Sequence, residues 1–538
     1  YINTNSIIYA LFNKLDYKEE VLNGLIDIIG RNLNNKVYVE EFHEIIRENY
    51  NLLNLIEEFI LNSKDEKILF DIHRNLMEIK ILDITAGTGA FLLGALDILM
   101  TLHKAINNKM NIIKDGEQVT DLDIVLFIIE NNLYGLDIMN DAIEIAKFRM
   151  YLRIFSECIK NKVNLEQEVK LNLQVGNALT DNKSDFKIKN NILEGEYDCI
   201  IGNPPYVEYS KVRKQYEVND FETIKCGNIY AYVIEKSIRI LKDNGIIGVI
   251  VPISLVSTNR MAPLRRYIEG NCKVMFFSNF GDRPGTLFNG VHQKVTIFIG
   301  HKGKSYSPLI YTSKYYHWYN SEREMLFENI KYMKNPFRNK EFYYKIGNNL
   351  QKSIIEKVNA KEKSILDMTV KEGNYTVYLN TRLTFWVKCF IREKKSNEFK
   401  KYYFKSKEDA LIFAALMNSN LYYFMWETIS DGWHITRKEL EFFKFDMELL
   451  NHEYRSKLID LAFKLEEDLE KNKEYVGTKQ TKYEYRHKKS KLIINEIDLL
   501  LKNHYGFTDE EYNHIINYNL KYRMNDELDE YLSKRERK

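Results

Sequence analysis

Proline is scarce in this sequence, with seven residues in 538, and all seven fall between Pro204 and Pro336. The flanks therefore lack the strongest helix breaker, and both carry apolar residues at helical spacing. Ile7, Leu11, Leu15, Leu25 and Ile28 set the pattern near the start, and Leu458, Leu461, Leu465 and Leu469 set it near the end. Cysteine is scarcer still. Cys158, Cys199, Cys226, Cys272 and Cys389 are scattered without a C-x-x-C pair, which excludes a zinc ribbon or a disulfide framework and fits a reducing cytoplasm. Charge of one sign is missing too: 78 Lys and Arg oppose 76 Asp and Glu. A histone-like protein is excluded, although a groove lined locally with basic residues is not. There is no run of eighteen apolar residues and no signal-peptide layout in the first twenty, so no membrane association is expected. No H-E-x-x-H pair, G-x-S-x-G elbow or P-loop lysine occurs, so metal-dependent hydrolysis, serine hydrolysis and nucleoside-triphosphate hydrolysis lose their usual signatures.

What is present supports a large buried core. Apolar residues make up 45% and aromatics 13%, with 37 Tyr and 29 Phe, and the length suits two to four domains. In the middle of the chain, short apolar runs end in turn residues: Ile81–Ile84, Leu133–Ile138, Leu171–Val175, Tyr197–Ile201, Ile246–Val251, Val274–Asn279 and Val295–Ile299. Helix-length segments separate most of them, among them Ala90–Lys104, Asn140–Lys160 and Ile229–Lys242. This alternation predicts a doubly wound α/β sheet. Gly281–Gly290 is short enough for a hairpin-like return, so an antiparallel strand is expected at that end of the sheet. The domain reading is a helical region at 1–80, an α/β domain at 81–300, a mixed domain at 301–450 and a helical region at 451–538. The chain opens on Tyr1 rather than Met, and a longer polypeptide is expected upstream.

Three strand ends carry the features of a nucleoside site. Ile81-Leu82-Asp83-Ile84-Thr85-Ala86-Gly87-Thr88-Gly89-Ala90-Phe91 runs from a strand through a glycine turn into a helix, whose N-terminus supplies oriented N–H groups. The second strand ends at Asp137-Ile138, where a carboxylate can accept two ribose hydroxyls; Asp137 and Asn140 are alternatively candidates to cap the next helix. The third closes with Gly176-Asn177-Ala178-Leu179, placing an amide to read an adenine edge. A dinucleotide is the competing ligand, but the third small residue of G-x-G-x-x-G is missing.

A fourth strand ends in Asn203-Pro204-Pro205-Tyr206. The prolines fix φ and remove two N–H donors, which leaves carbonyls free to point into a cleft. An exocyclic amine held there would donate one hydrogen to the Asn203 side-chain oxygen and one to the Pro204 carbonyl. Drawing both hydrogens away exposes the nitrogen lone pair without a strong base. Tyr206 would hold a planar base against its ring, worth about 1–3 kcal/mol by stacking.

These segments resemble the gamma-type amino-methyltransferases of DNA, specifically the large N6-adenine methylases of type IIG restriction-modification enzymes and phage-exclusion systems. Asp83–Phe91 matches that family's Asp-x-x-x-Gly-x-Gly-x-Phe motif, Asp137 its acidic strand end, Gly176–Leu179 its Gly-Asn-Ala-Leu motif and Asn203–Tyr206 its catalytic motif. The similarity continues through Cys226–Tyr232, Val251–Ser254, Arg260–Leu264 and Asn279–Gly285, and more loosely through Asp431–Ile435 and Asn495–Met524. It implies a Rossmann-like S-adenosylmethionine-dependent methyltransferase core that acts on a flipped adenine in double-stranded DNA. Asn203, Pro204, Pro205 and Tyr206 would then be catalytic. Asp83, Thr85, Ala86, Gly87, Gly89, Phe91, Asp137, Ile138, Asn177, Ala178 and Leu179 would hold the cofactor. Two departures stand out. Ile84 or Thr85 stands where the family often has Pro. Tyr1–Ile8 resembles only the stretch C-terminal to a further cofactor-binding segment of the family, so part of the methionine-side pocket is expected to lie outside this chain.

A flipped base requires residues that grip flanking phosphates. Candidates for a target-recognition domain are Lys314–Trp318, Arg382, Trp433, His434, Arg437 and Lys438. A basic stretch, Lys479, Lys482, Arg486, Lys488, Lys489 and Lys491, is expected on a helix with Tyr483 and Tyr485. The same catalytic motif also serves enzymes that methylate glutamine amides or ribosomal guanine, which are shorter chains, and cytosine methylases usually carry Ser at the Asn203 position. Other readings are a catalytically silent DNA-binding or specificity subunit, and the methylase portion of a fused restriction endonuclease. Neither a Pro-Asp dipeptide nor a partnered E-x-K supports a nuclease within this chain, so a nuclease or defence subunit would be fused upstream or associated.

Overall fold

The computed structural model describes residues 1–114, 117–163, 165, 168–180, 192–477 and 482–536. The chain divides into two compact units. The first comprises Tyr1–Asn279, Val295–Ser313 and Met325–Phe342, and the second Phe280–Lys294, Lys314–Glu324 and Tyr343–Lys538.

Unit 1 begins with five helices, of which α1 (Ile2–Lys14) matters most for the sheet. Asn5, Ser6, Ile7, Ile8 and the residues through Phe12 are all buried. A Cβ on Gly248 would fall 1.9 Å from Ser6 Oγ, so a missing side chain lets this helix lie directly on the sheet. The strands are β1 (Ile81–Asp83), β2 (Leu133–Asp137), β3 (Leu173–Val175), β4 (Tyr197–Gly202), β5 (Leu241–Pro252), β6 (Cys272–Phe280), β7 (Val295–Lys302), β8 (Leu309–Tyr316) and β9 (Tyr332–Lys334). They form one sheet in the order β9-β8-β6-β7-β5-β4-β1-β2-β3. β1 pairs in parallel with both β2 and β4, β2 with β3, and β4 with β5. Every residue of β4 is buried, and so are Ile246–Val251 of β5. Each large aliphatic side chain buried there contributes about 1.5–3 kcal/mol, which is why these runs read as continuously apolar.

The seven apolar runs all form strands, and the expected antiparallel strand is β7, paired with β5 from Ile246↔His301 to Pro252↔Val295. The sheet does not end there. β7 lies between β5 and β6, and β8 and β9 extend the sheet beyond β6. The helix after β1, α2 (Ala90–Met110), is long and apolar enough by length and composition to cross a membrane, and 61% of that window is buried inside the protein. α3 (Asn140–Asn161), which follows β2, buries Ile143, Ala146, Met150 and Ile154. It leaves Ile145, Phe148, Leu152, Phe155 and Ile159 exposed, so apolar periodicity alone does not tell which face packs.

Unit 2 holds a three-stranded antiparallel sheet, Cys389–Phe390, Tyr375–Asn380 and Phe399–Phe404 in spatial order. Against it lies the helix Lys407–Asn418, which is followed by the fully buried helix Asn420–Ile429. Ser419 between them caps the second by accepting the Tyr422 N–H at 3.0 Å, and Asp498 accepts the N–H groups of Asn420 and Leu421. Of the expected stripe on the helix His452–Lys471, Leu458, Leu465 and Leu469 are buried and Leu461 is half-buried.

The helix expected across the basic stretch is not formed. Tyr483–Tyr485 is a strand paired with Lys473–Tyr475, followed by a 3₁₀ turn at His487–Ser490. Alternating Tyr and Glu suit a two-stranded ribbon better than a helix. Lys479 lies outside the described residues.

Candidate active site

The sequence-predicted motif residues lie at four neighbouring strand ends. Parallel register sets Asp83 beside Gly135 and Asp137 beside Val175, so β1, β2, β3 and β4 finish on one edge. Strand order reverses at β1, with β2 and β3 on one side and β4 and β5 on the other. In open α/β sheets the crevice at such a reversal is where ligands bind.

Asp83, at the tip of β1, is 1% exposed. Its Oδ1 accepts the Thr85 N–H at 3.0 Å, while Oδ2 is buried without a hydrogen-bond partner among the described residues. Gly202 closes β4 at the point where a Cβ would stand 2.7 Å from Asp83 Oδ1 and 3.3 Å from Thr85 Oγ1; the glycine lets the two tips meet. The turn after β1 uses left-handed backbone at Gly87 and Gly89, with φ of 51° and 79°. At Gly89 a Cβ would also approach Ala146 Cβ to 3.1 Å. Ala86 is buried, Thr85 and Phe91 are half-buried, and the Ala86 N–H donates to the Leu136 carbonyl at 2.9 Å.

Asp137 holds this turn from the next strand. Its Oδ2 accepts the Gly87 N–H at 2.9 Å and its Oδ1 the Met139 N–H at 2.9 Å. Each oxygen keeps further lone-pair capacity. The capping role offered to Asn140 is not taken: α3 starts from Met139 without a side-chain cap. Beside Asp137, Ile138 is an apolar side chain 56% exposed. On β3, the Gly176 N–H donates to the Asp137 carbonyl at 2.9 Å. Asn177 Oδ1 accepts the Leu179 N–H at 3.0 Å, and Ala178 and Leu179 are buried.

Burial pushes the Asp83 carboxyl up to about 7, with the Thr85 N–H opposing and the charge of Asp137 adding to the rise. An unfolded aspartate titrates near ~3.9, so folding favours the protonated form. That contribution is complete below the unfolded value and is lost as pH rises through about 7. Asp83→Asn keeps a carbonyl oxygen for the Thr85 N–H and cannot ionise. Its melting temperature is expected to gain on the wild type between pH 5 and pH 8. A difference that stays flat across that range would contradict the assignment.

The fourth tip carries Asn203-Pro204-Pro205-Tyr206. Asn203 and Pro205 are exposed, Pro204 is buried and Tyr206 is half-buried. The Tyr206 hydroxyl donates to Asn203 Oδ1 at 2.6 Å and lies 3.1 Å from the Ile250 carbonyl on β5. Burial pushes its pKa well above the ordinary value, so it remains a donor. Reading Tyr206 from sequence as a ring surface misses this bond, which steadies the Asn203 side chain while leaving one lone pair on Oδ1 open. The loop beyond it is clamped. The Ile229 N–H donates to the Val207 carbonyl at 2.9 Å and the Tyr209 N–H to the Gly227 carbonyl at 3.0 Å. Arg260 grips both oxygens of Glu208, at 2.5 and 3.1 Å, and reaches the Gly227 carbonyl at 2.9 Å. Glu208 and Arg260 are not recognisable as a pair in sequence, since residues this far apart give no spacing signal.

The nucleic-acid candidates lie in unit 2. Arg382 and His434 form an antiparallel bridge, the Trp433 carbonyl accepts the Leu383 N–H at 2.8 Å, and His434 pairs with Asp431 at 2.7 Å. Arg437 closes on Glu441 at 2.5 Å and Lys438 on Glu439 at 3.0 Å. Lys488 meets Asp526 and Glu527, and Lys489 meets Glu474 at 3.7 Å. Lys314–Trp318 does not form an open basic-aromatic face: Tyr315, Tyr316 and Trp318 are buried, and His317 Nε2 lies 2.8 Å from Glu427.

Comparison with known proteins places this geometry. Residues 131–285 match the Eco57I restriction-modification methylase family. The matched stretch runs from Asn131, just before β2, through the Asn203–Tyr206 corner, to Gly285. Over 319 residues the chain is 23% identical to the type II restriction enzyme and methyltransferase RM.Eco57I of Escherichia coli, covering 52% of this chain and 32% of that protein. Over 120 residues it is 33% identical to the type II methyltransferase M.HincII of Haemophilus influenzae, covering 20% of this chain and 23% of that protein. The chain thus spans a third or less of the curated relatives it matches. A solved type IIL restriction-modification enzyme in complex with DNA, MmeI, shares the fold at a TM-score of 0.52 and 14% identity, over 91% of this chain and 78% of that one. The methylase match and the Rossmann-like methyltransferase fold agree with the strand order described above.

Proposed function

We propose that this chain is the modification portion of a restriction-modification or phage-defence enzyme, methylating the exocyclic N6 amine of an adenine flipped out of double-stranded DNA. The observation that carries the reading is the corner at the end of β4. There an exposed Asn203 keeps an open lone pair beside Pro204, to whose carbonyl no group donates among the described residues.

S-adenosylmethionine fits the neighbouring tips. The buried, partnerless Asp83 Oδ2 offers an acceptor for its ammonium. The Gly87–Gly89 turn allows close backbone approach, the spare lone pairs of Asp137 suit ribose hydroxyls, and Ile138 and Asn177 flank the base. Once bound, S-adenosylmethionine supplies an electrophilic methyl group. The chain's own part is to orient and polarise. Asn203 Oδ1 and the Pro204 carbonyl draw the two amine hydrogens aside, the nitrogen lone pair turns toward the donor, and Tyr206 keeps Asn203 in place. Neither acceptor is a base, so the proton released afterwards leaves to solvent. DNA as substrate is supported by the solved MmeI enzyme, whose structure is a complex with DNA, and RM.Eco57I, named as both restriction enzyme and methyltransferase and covered to 32% by this chain, supports a nuclease elsewhere in the same system.

Incubation with duplex DNA and a methyl-tritiated donor tests the reaction class, and label is expected in DNA. Label in protein alone would point to amide methylation, and label in neither would point to the silent-subunit reading. Tyr206→Phe keeps the ring and loses the bond to Asn203 Oδ1. It is expected to lower kcat about 5- to 10-fold with KM for DNA nearly unchanged, which corresponds to about 1–1.5 kcal/mol for one hydrogen bond. An equal rise in KM would show that the hydroxyl binds substrate instead.

A further inference from the structure

Two cations lie over the indole of Trp433. The Arg283 guanidinium carbon is 5.4 Å from the ring centroid and Lys294 Nζ is 4.8 Å from it. They differ in what else they touch. Lys294 Nζ stands 3.0 Å from Asp282 Oδ1, and both side chains are largely buried, so that charge is cancelled within the fold. Arg283 is exposed, and among the described residues no carboxylate lies within ion-pair distance of it. The cations that the sequence singles out nearby are engaged: His434 with Asp431, Arg437 with Glu441, Lys438 with Glu439, and Arg382 at 3.8 Å from Glu398.

The mount of Arg283 is rigid. On either side of it the Gly281 N–H donates to the Tyr316 carbonyl at 2.9 Å and the Gly285 N–H to the Trp318 carbonyl at 2.7 Å. Its own carbonyl lies 2.6 Å from His317 Nδ1. A Cβ on Gly285 would strike Trp318 Nε1 at 2.5 Å, so the close return of this loop depends on a glycine. Trp433 is held in turn by Asp431 Oδ1, which accepts its N–H at 2.8 Å, and by the Leu383 N–H on its carbonyl. A guanidinium already laid on an indole loses little conformational freedom when it binds. Its planar fork of N–H donors matches a phosphate in two-point contact.

We propose that Arg283 grips a backbone phosphate of bound DNA, with Trp433 as its platform. The proposal rests on the DNA reading above and names a contact that spacing and composition do not single out. A phosphate is favoured over a base edge because the charge is uncompensated and no neighbouring carboxylate has to be given up on binding.

The test is duplex binding by the full chain, measured from 50 to 200 mM salt. Arg283→Gln is expected to weaken affinity about tenfold near 0.1 M salt and to reduce the slope of log K against log salt by about 0.9. The loss should be equal across duplexes of different sequence. Arg283→Lys is expected to keep the wild-type slope. Because the side chain is exposed and pairs with no carboxylate among the described residues, Arg283→Gln gives up only its contact with the indole face, and its melting temperature should stay close to the wild type, which separates lost binding from lost folding. If the wild type binds DNA and methylates it while Arg283→Gln keeps its slope and affinity, the phosphate contact is refuted and the function stands. A loss confined to one base-pair position would make Arg283 a base reader and overturn the proposal. A wild type without salt-dependent duplex binding would overturn both.

Discussion

Asn203→Ala is expected to reduce methyl transfer about 10²- to 10³-fold, the scale seen when one preorganised polar contact to a reacting centre is removed. Cofactor affinity and DNA affinity should remain within about threefold of the wild type. The structure explains the expected selectivity. The Asn203 side chain is exposed, and its one side-chain hydrogen bond among the described residues is to the Tyr206 hydroxyl, which keeps the Ile250 carbonyl at 3.1 Å as an acceptor. Removing Asn203 therefore strands no buried polar atom, and folding should lose about 1 kcal/mol or less. Single-turnover methylation with saturating DNA and donor isolates this step. A variant that methylates at the wild-type rate would leave the Pro204 carbonyl as the sole acceptor and refute the paired-acceptor mechanism. Parallel losses of binding and turnover would place Asn203 in substrate binding.

Asp137→Ala should have the second-largest effect, raising the donor Kd about 100-fold or more. Two sources add. The ribose would lose its charged acceptor, worth about 1.5–3 kcal/mol for hydrogen bonds to a charged group. The Gly87 and Met139 N–H groups would lose the oxygens that now accept them at 2.9 Å, so the glycine turn would no longer be held in its left-handed form. Asp137→Asn keeps one carbonyl acceptor and should fall between the two. Titration calorimetry with S-adenosylmethionine and with S-adenosylhomocysteine checks this. Unchanged affinity for both would remove Asp137 from the cofactor site, and loss of DNA binding in step with loss of cofactor would indicate a collapsed sheet edge.

The features legible in sequence are those that interrupt a hydrophobic run. Asp83, Asp137 and Gly202 stand at the ends of buried strands, where a carboxylate or a glycine breaks the apolar pattern. Their order along the chain foretells neighbours in the sheet because parallel strands finish on one edge. β8 is not legible for the opposite reason. Thr312 and Ser313 are buried within Leu309–Tyr316, and they are tolerated because partners such as Asn279 satisfy them: Ser313 Oγ accepts the Asn279 N–H and the Ser313 carbonyl accepts Asn279 Nδ2, each at 3.0 Å. A strand whose polar residues are satisfied from distant sequence has no apolar signature. The same limit hides the Glu208–Arg260 clamp and the uncompensated charge of Arg283. What sets Arg283 apart from Arg437 or Lys488 is the lack of a carboxylate neighbour among the described residues, a property of three-dimensional arrangement alone.

Nucleoside mass spectrometry of DNA exposed to the full chain and an isotope-labelled donor tests the central claim most directly. The paired acceptors at Asn203 and Pro204 predict labelled N6-methyladenine as the product, lost in Asn203→Ala. Labelled N4-methylcytosine, 5-methylcytosine or unlabelled nucleosides alone from an active, cofactor-binding preparation would contradict it.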